Sequence, residues 1–345
     1  MKKLKYISLL LLCSIFFTAC SVKDSNNVDD SSKKNPAKAA DENLEEVDLV
    51  LDWYPNAIHA FIYAAIENGY YEEEGLKVNV KFPSNPTDSL ALPAAGKATI
   101  GIYYQPDVVI ARSNENVKVK SIGSIVKTPL NVIISLKEKG INSPKDLSGK
   151  TVGFSGNPLN TEYVKAMVKE DGGDPDSVKI IDVGFELLSS MITKNVDATT
   201  GGLINHEVPV LRHEGHEINY LSPADYGVPN YYEEIFVTSD ETLKEKPETL
   251  KKFMKASKKG FEFMKSNPDK SLQILLDHQE ADNFPLIKSV EKESMDILLP
   301  IMETSTSPFL HQDKKVWEDN IKWLQEKGLL TKEVNAEDFY VNLDE

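Results

Sequence analysis

Several short stretches of this 345-residue chain carry groups that could hold a small planar ligand. The first is Asp52-Trp53-Tyr54-Pro55-Asn56-Ala57-Ile58-His59. A tryptophan at a strand end, beside a proline turn, offers its indole to a crevice where a flat ring could stack. Asn56 and His59 open the next helix and add hydrogen-bonding groups. The alternative is structural, with Trp53 closing a core and Asn56 capping the helix. In Tyr103-Tyr104-Gln105-Pro106, strand alternation sends one tyrosine to the core and the other to the crevice, without saying which. Ser155-Gly156-Asn157-Pro158 is a strand-to-helix turn whose N–H groups and Asn157 side chain could take a polar substituent; a plain helix start is the other reading. Gly201-Gly202-Leu203-Ile204-Asn205-His206-Glu207 brings a carboxylate to a helix start behind two glycines that permit close backbone approach. Glu207 could accept from an exocyclic amine and share a proton with a ring nitrogen, matching an aminopyrimidine edge. Otherwise it complements the helix dipole.

Other chemistry is not favoured. His213-Glu214-Gly215-His216-Glu217 lacks the helical spacing of a zinc protease motif, and no metal is expected. No nucleophile elbow, phosphate loop or dinucleotide fingerprint occurs, so neither a catalytic residue nor a cofactor is assigned. Tyr226-Gly227-Val228-Pro229 with Tyr231-Tyr232 either supplies cleft aromatics or packs a hinge. Arginine occurs only at Arg112 and Arg212, which disfavours a guanidinium clamp on sulfonates or phosphates.

These residues need strand ends to position them, and the pattern supplies them. Strands are expected at 47–52, 78–82, 98–104 and 117–126, with helices at 57–68, 88–95 and 106–113 between them. A second set follows, with strands at 150–154, 178–183 and 198–203 and helices at 161–170, 185–194 and 208–214. A strand at 235–239 leads back, and a tail with amphipathic helices at 247–266, 284–300 and 313–327 completes the chain. Such alternation implies an α/β protein with mainly parallel sheets. The expected fold has two lobes, a double-crossover hinge near 132–137 and 234–238, and a helical C-terminal tail. Residues 47–133 and 236–345 form lobe 1, and residues 134–235 form lobe 2. Ligands of open α/β sheets bind beyond the carboxyl ends of the strands, where every residue singled out above falls.

The two cysteines, Cys13 and Cys20, both sit in the first twenty residues. A basic start, an apolar run and Phe17-Thr18-Ala19-Cys20 resemble a bacterial lipoprotein signal, which makes residues 1–19 a leader and Cys20 the lipidated N-terminus. Residues 20–46 are polar and read as a tether. Loss of a leader with three lysines takes the net charge from −15 to about −18, which argues against nucleic acid or anionic lipid surfaces as partners. The domain reads as a monomer held outside the cell by its lipid.

Four phrases together resemble one family: Leu51-Asp52-Trp53-Tyr54-Pro55-Asn56 with His59; Gly69-Tyr70-Tyr71 with Gly75-Leu76; Ser143-Pro144-Lys145-Asp146-Leu147 with Gly149-Lys150; and Asn205-His206-Glu207. They are similar to the thiamine-pyrimidine-binding branch of periplasmic-type solute-binding proteins, over roughly residues 47–340. The resemblance implies a lipid-anchored, non-enzymatic receptor for a formylaminopyrimidine or hydroxymethylpyrimidine type of ligand. Its further partner would be an ABC permease with its ATPase. By the same resemblance Trp53 stacks on the pyrimidine, Tyr104 lines the ring, Glu207 holds the amino edge and Asn157 takes the substituent. Leu203 departs from an aromatic residue frequent in the branch. Riboflavin or a sulfonate remains an alternative ligand. A pyrimidine-synthase-type enzyme is disfavoured, because the synthases resembled use a cysteine-rich iron-binding run that is absent after Cys20, and Tyr103 stands where their lysine is expected.

Overall fold

The computed structural model describes residues 44–279 and 285–343. The leader, Cys20 and nearly all of the expected tether lie outside the described residues. The first sheet holds β1 (Glu45–Val50), β2 (Leu76–Lys81), β3 (Ile100–Tyr103) and β4 (Val119–Val126), with α1 (Ala60–Glu67), α2 (Tyr70–Glu73), α3 (Asp88–Ala94) and α4 (Gln105–Asn114) between them. β1 begins before the expected boundary at 47, because Glu45 and Glu46 already pair in register with Leu76 and Lys77.

The second sheet holds β5 (Asn131–Leu136), β6 (Thr151–Phe154), β7 (Lys179–Asp182), β8 (Ala198–Leu203) and β9 (Ile218–Leu221). Its helices are α5 (Pro158–Glu170), α6 (Leu187–Ile192) and α7 (Glu207–His213). The chain then returns through β10 (Glu234–Ser239) to the first sheet. Strand orders are β2-β1-β3-β10-β4 and β7-β6-β8-β5-β9.

The two reversed strands have one cause. β4 leaves the first sheet at its carboxyl edge, so the incoming β5 enters the second sheet from that edge and runs antiparallel to β8 and β9. β10 re-enters the first sheet the same way, antiparallel to β3 and β4. The sheets are therefore mixed, where the alternation suggested mainly parallel ones. The first crossing lies between Val126 and Asn131 rather than at 132–137, since Asn131–Val132 already pair with Leu203–Gly202. Glu234 and Ile235 likewise belong to the first sheet, pairing with β4, and not to lobe 2.

The tail supplies α8 (Asp240–Glu245), α9 (Pro247–Ser266), α10 (Pro268–Asp277), α11 (Lys288–Met302) and α12 (Lys314–Glu326). α9 buries Leu250, Phe253, Phe261 and Met264 as one helical face. That face packs on α1, which is apolar and buried nearly all round. Gly260 allows the approach: a Cβ there would sit 2.2 Å from the Phe61 carbonyl oxygen. On α12, Trp317 stacks on Tyr340 with centroids 5.3 Å apart, and Trp323 reaches Tyr163 of α5 at 5.7 Å, so the tail also packs on a helix of the second sheet.

Candidate ligand-binding cleft

The carboxyl edges of the two sheets face one another, and a narrow cavity of about 20 Å³ lies between them. Its wall takes Tyr104, Pro106 and Asp107 from the first sheet's side, and Ser155, Asn157, Asn160, Tyr163, Gly201 and Leu203 from the second. Asn131, Tyr231 and Glu233 come from the two crossings. Two carboxyl groups, three tyrosines and three asparagines line it, and among the described residues no lysine, arginine or histidine does. Arg112 is paired with Asp240 at 2.9 Å and Arg212 lies 3.7 Å from Glu293, both away from this wall.

Of the two tyrosines at the end of β3, Tyr103 enters the apolar core and Tyr104 lines the cavity. The Tyr104 hydroxyl donates to Asp52 Oδ2 at 3.0 Å. Burial, then the charge of Asp52, pushes that hydroxyl well above its ordinary value, so it stays a donor. Asp52 Oδ1 lies 3.0 Å from His59 Nε2, and His59 Nδ1 accepts from the Asn56 N–H at 3.2 Å. That acceptance leaves Nε2 as the donor to Asp52. Asn56 is spent on local structure: its Oδ1 accepts from the Ile58 N–H at 2.9 Å and caps the turn into α1.

Glu234 completes this cluster. Its carboxyl is fully buried, and burial followed by the charges of Asp52 and Glu233 pushes it well above the ordinary range. Asp52, His59 and Glu234 are the one group among the described residues whose donor atoms crowd as metal ligands do, within 4.8 Å. The His213–Glu217 run forms no such group among the described residues.

Trp53 is half-buried at the end of β1 and meets Phe185 edge-on, with centroids 4.5 Å apart. Phe185 follows β7, so the contact spans the cleft. Asn157 lines the cavity while its Oδ1 caps α5 by accepting from the Leu159 N–H at 3.0 Å. Its amide also faces the Asp107 carboxyl. Gly201 has a left-handed backbone (φ 95°), and a Cβ there would lie 2.7 Å from both Asn160 Nδ2 and Ser155 Oγ. Only glycine fits that wall.

Asn205 and Glu207 sit at a neighbouring corner and do not line the cavity. Asn205 Nδ2 donates to Ser294 Oγ on α11 at 3.0 Å. Glu207 Oε2 accepts from the Leu203 N–H at 2.7 Å, and Oε1 pairs with His206 Nδ1 at 3.0 Å. Burial works against the Glu207 charge, but His206 and the backbone N–H outweigh it and hold the carboxyl below its usual range. His206 Nε2 also lies 3.7 Å from Glu291 of α11, so the corner joins α7 to the tail through charge.

The sequence reasoning missed Asp107, Asn131, Asn160, Tyr163 and Glu233. Adjacent acids at Glu233-Glu234, directly before an apolar strand, were the available signal, because one of two neighbours must face inward.

Two five-stranded sheets with reversed crossing strands, a double connection and a polar cavity between the carboxyl edges define the fold of the periplasmic binding proteins. The alkanesulfonate-binding protein SsuA from Xanthomonas axonopodis pv. citri, solved with MOPS bound, shares the fold with a TM-score of 0.67 at 13% identity, covering 86% of this chain and 98% of that one. The chain belongs to the NMT1/THI5-like family, whose profile matches residues 56–271. It is 46% identical over 343 residues to a formylaminopyrimidine-binding protein of Halalkalibacterium halodurans, covering 99% of both chains. It is 28% identical over 247 residues to a 4-amino-5-hydroxymethyl-2-methylpyrimidine phosphate synthase of Legionella pneumophila, covering 71% of this chain and 77% of that one.

Proposed function

We propose that this protein is the lipid-anchored, extracytoplasmic receptor of an ABC importer, and that it captures a thiamine pyrimidine precursor of the formylaminopyrimidine or hydroxymethylpyrimidine type. The observation that carries the reading is the cavity wall, rich in carboxyl, phenol and amide groups and without a cation. Such a wall suits a neutral or basic nitrogen heterocycle and opposes a sulfonate, for which neither arginine is placed. The relative named for formylaminopyrimidine binding, similar over its whole length, supports the same ligand.

In this reading the lobes close on the ligand by rotating about the two crossings. Trp53 presents an aromatic face at the mouth, and Tyr103 packs behind Tyr104. Tyr104 and Asn157 touch the ring or its substituent. Asp52, His59 and Asn56 hold the Tyr104 side in shape, while Asn205 and Glu207 fix the neighbouring corner. No reaction is needed, and the absence of cysteine after Cys20 removes the iron-binding run that the synthase resemblance would require. Lipidation at Cys20 would hold the receptor beside its permease. A Cys20→Ser chain should leave the membrane fraction.

The test is a thermal-shift series with aminopyrimidines, riboflavin and taurine. A ligand bound only by the folded state raises the melting temperature, by about 2.7 kcal/mol of stabilisation at a hundred times its Kd. A rise confined to aminopyrimidines supports the reading, and no rise with any of them removes the ligand assignment.

A further inference from the structure

Resting on the closing motion in the reading above, we infer that the lobes part on one side only. Lobe 2 pivots on an aromatic flank between α5 and α12, while a polar seam between α7 and α11 opens and closes. Ser294 is the latch of that seam. It stands outside the cavity wall, yet it sets how much of the protein is closed and so how tightly a ligand is held.

The C-terminal tail grips the second sheet on both faces. Ile133 of β5 packs with Val164 and Met167 of α5, whereas its neighbours Val132 and Ile134 pack with Val208 and Leu211 of α7. Alternation along one strand therefore puts α5 and α7 on opposite faces. α12 meets the α5 face through Trp323, and α11 meets the α7 face through Ser294.

The two grips differ in chemistry. On the α5 side, Leu159 and Tyr163 belong to one buried apolar cluster with Trp323, Leu324 and Tyr231. Tyr163 stacks on Tyr231 at 6.1 Å and tilts against Trp323 at 5.7 Å. Parting these rings would return apolar area to water, so this flank stays together.

On the α7 side, Leu203 and Ile204 pack on the first lobe's core beside the hinge, where the Ile204 N–H donates to the Leu130 carbonyl. Beyond them the contacts are polar. Asn205 Nδ2 donates to Ser294 Oγ at 3.0 Å, with both residues fully buried. His206 Nε2 lies 3.7 Å from Glu291, whose other oxygen accepts the Ala57 N–H at 2.8 Å. Arg212 lies 3.7 Å from Glu293 at the exposed end. Water replaces such partners readily, so this seam can part where the aromatic flank cannot. Among the described residues Asn205 Oδ1 has no hydrogen-bond partner, and water reaches it when the seam opens. The latch is thereby weak enough to release.

The experiment measures distances between paired spin labels in the chain from Ser21 onward, which holds every described element and no cysteine of its own. One pair, Arg212→Cys with Glu293→Cys, spans the seam. The other, Lys169→Cys with Lys327→Cys, spans the groove beside Trp323 on the aromatic flank. Without ligand the seam pair should show a long and a short distance, and saturating formylaminopyrimidine should leave only the short one. The flank pair should give one distance throughout. In Ser294→Ala the long seam population should grow, because closure then leaves the Asn205 amide without an acceptor. Calorimetry on that variant should show formylaminopyrimidine and hydroxymethylpyrimidine weakened by the same factor, about three- to tenfold. An unchanged affinity, or a loss confined to one ligand, would overturn the latch. A flank pair that moves while the seam pair stays fixed would overturn the pivot. Either result leaves the receptor reading standing. If neither pyrimidine binds, that reading's ligand falls, and the ligand-free distances of the two pairs still decide the pivot.

Discussion

Trp53 and Phe185 touch edge-on at 4.5 Å from opposite sides of the cleft, one at the carboxyl end of β1 and the other just past β7. Tyr54 joins them at 5.1 Å from Phe185. A contact of this kind is present when the lobes are together and lost when they part, so it favours closure. Aromatic pairs contribute about 0.5–1.5 kcal/mol beyond their buried area.

Phe185→Ala should therefore weaken ligand binding by a few-fold to about tenfold, with little change in folding stability. Trp317 and Trp323 are 0% and 6% exposed, whereas Trp53 is half-buried at the cleft. Any ligand-induced change in tryptophan fluorescence should then come from Trp53 and vanish in Trp53→Phe. A change that persists in that variant would place the moving indole elsewhere.

Tyr104→Phe removes the donor to Asp52 Oδ2 and leaves a buried carboxylate one partner short. The expected cost is about 1–3 kcal/mol of stability. Urea unfolding measures it, and an unchanged midpoint would mean that Asp52 does not need this hydroxyl.

Stability should fall as pH rises from about 6 to 9. His206 is raised to about 9: burial opposes its charge, but Glu207, then Glu291 and Asp52, outweigh burial. A base raised in the folded state stabilises fully below its ordinary 6.5, and that contribution is lost as pH climbs through about 9. Asp107 and Glu233 act in the same direction at lower pH, because the unfolded chain ionises them first, up to about 7. His206→Gln should flatten the melting-temperature profile above pH 6.5 and leave the lower part in place. A parallel profile in the variant would exclude His206 as the source.

What the sequence made legible follows the range of the forces involved. Strand ends, helix starts and the tail's amphipathic faces are local patterns, and Trp53, Tyr104 and Asn157 fall at the cleft because each ends a strand or opens a helix. Asn56 shows the limit, since a cap and a ligand group look alike until its oxygen is seen to accept from Ile58. Glu207 shows it again: only the fold turns its carboxylate onto Leu203 and His206. Asp107 and Glu233 read as ordinary solvated acids at a helix start and a hinge. Glu233 is buried and Asp107 half-buried, against partners distant in sequence: Leu130 with Asn131 for the first and Asn157 for the second. β5 was hidden for a related reason: a strand that follows a crossing looks like the crossing itself.

On the proposed reading, the cavity between the two sheets takes an aminopyrimidine. Calorimetric titration of the purified protein with formylaminopyrimidine, hydroxymethylpyrimidine, riboflavin and taurine tests it most directly. The expected result is saturable one-to-one binding of a pyrimidine, competed between the two pyrimidines, with no heat from taurine. Saturable binding of taurine or riboflavin, with none from either pyrimidine, would contradict the account.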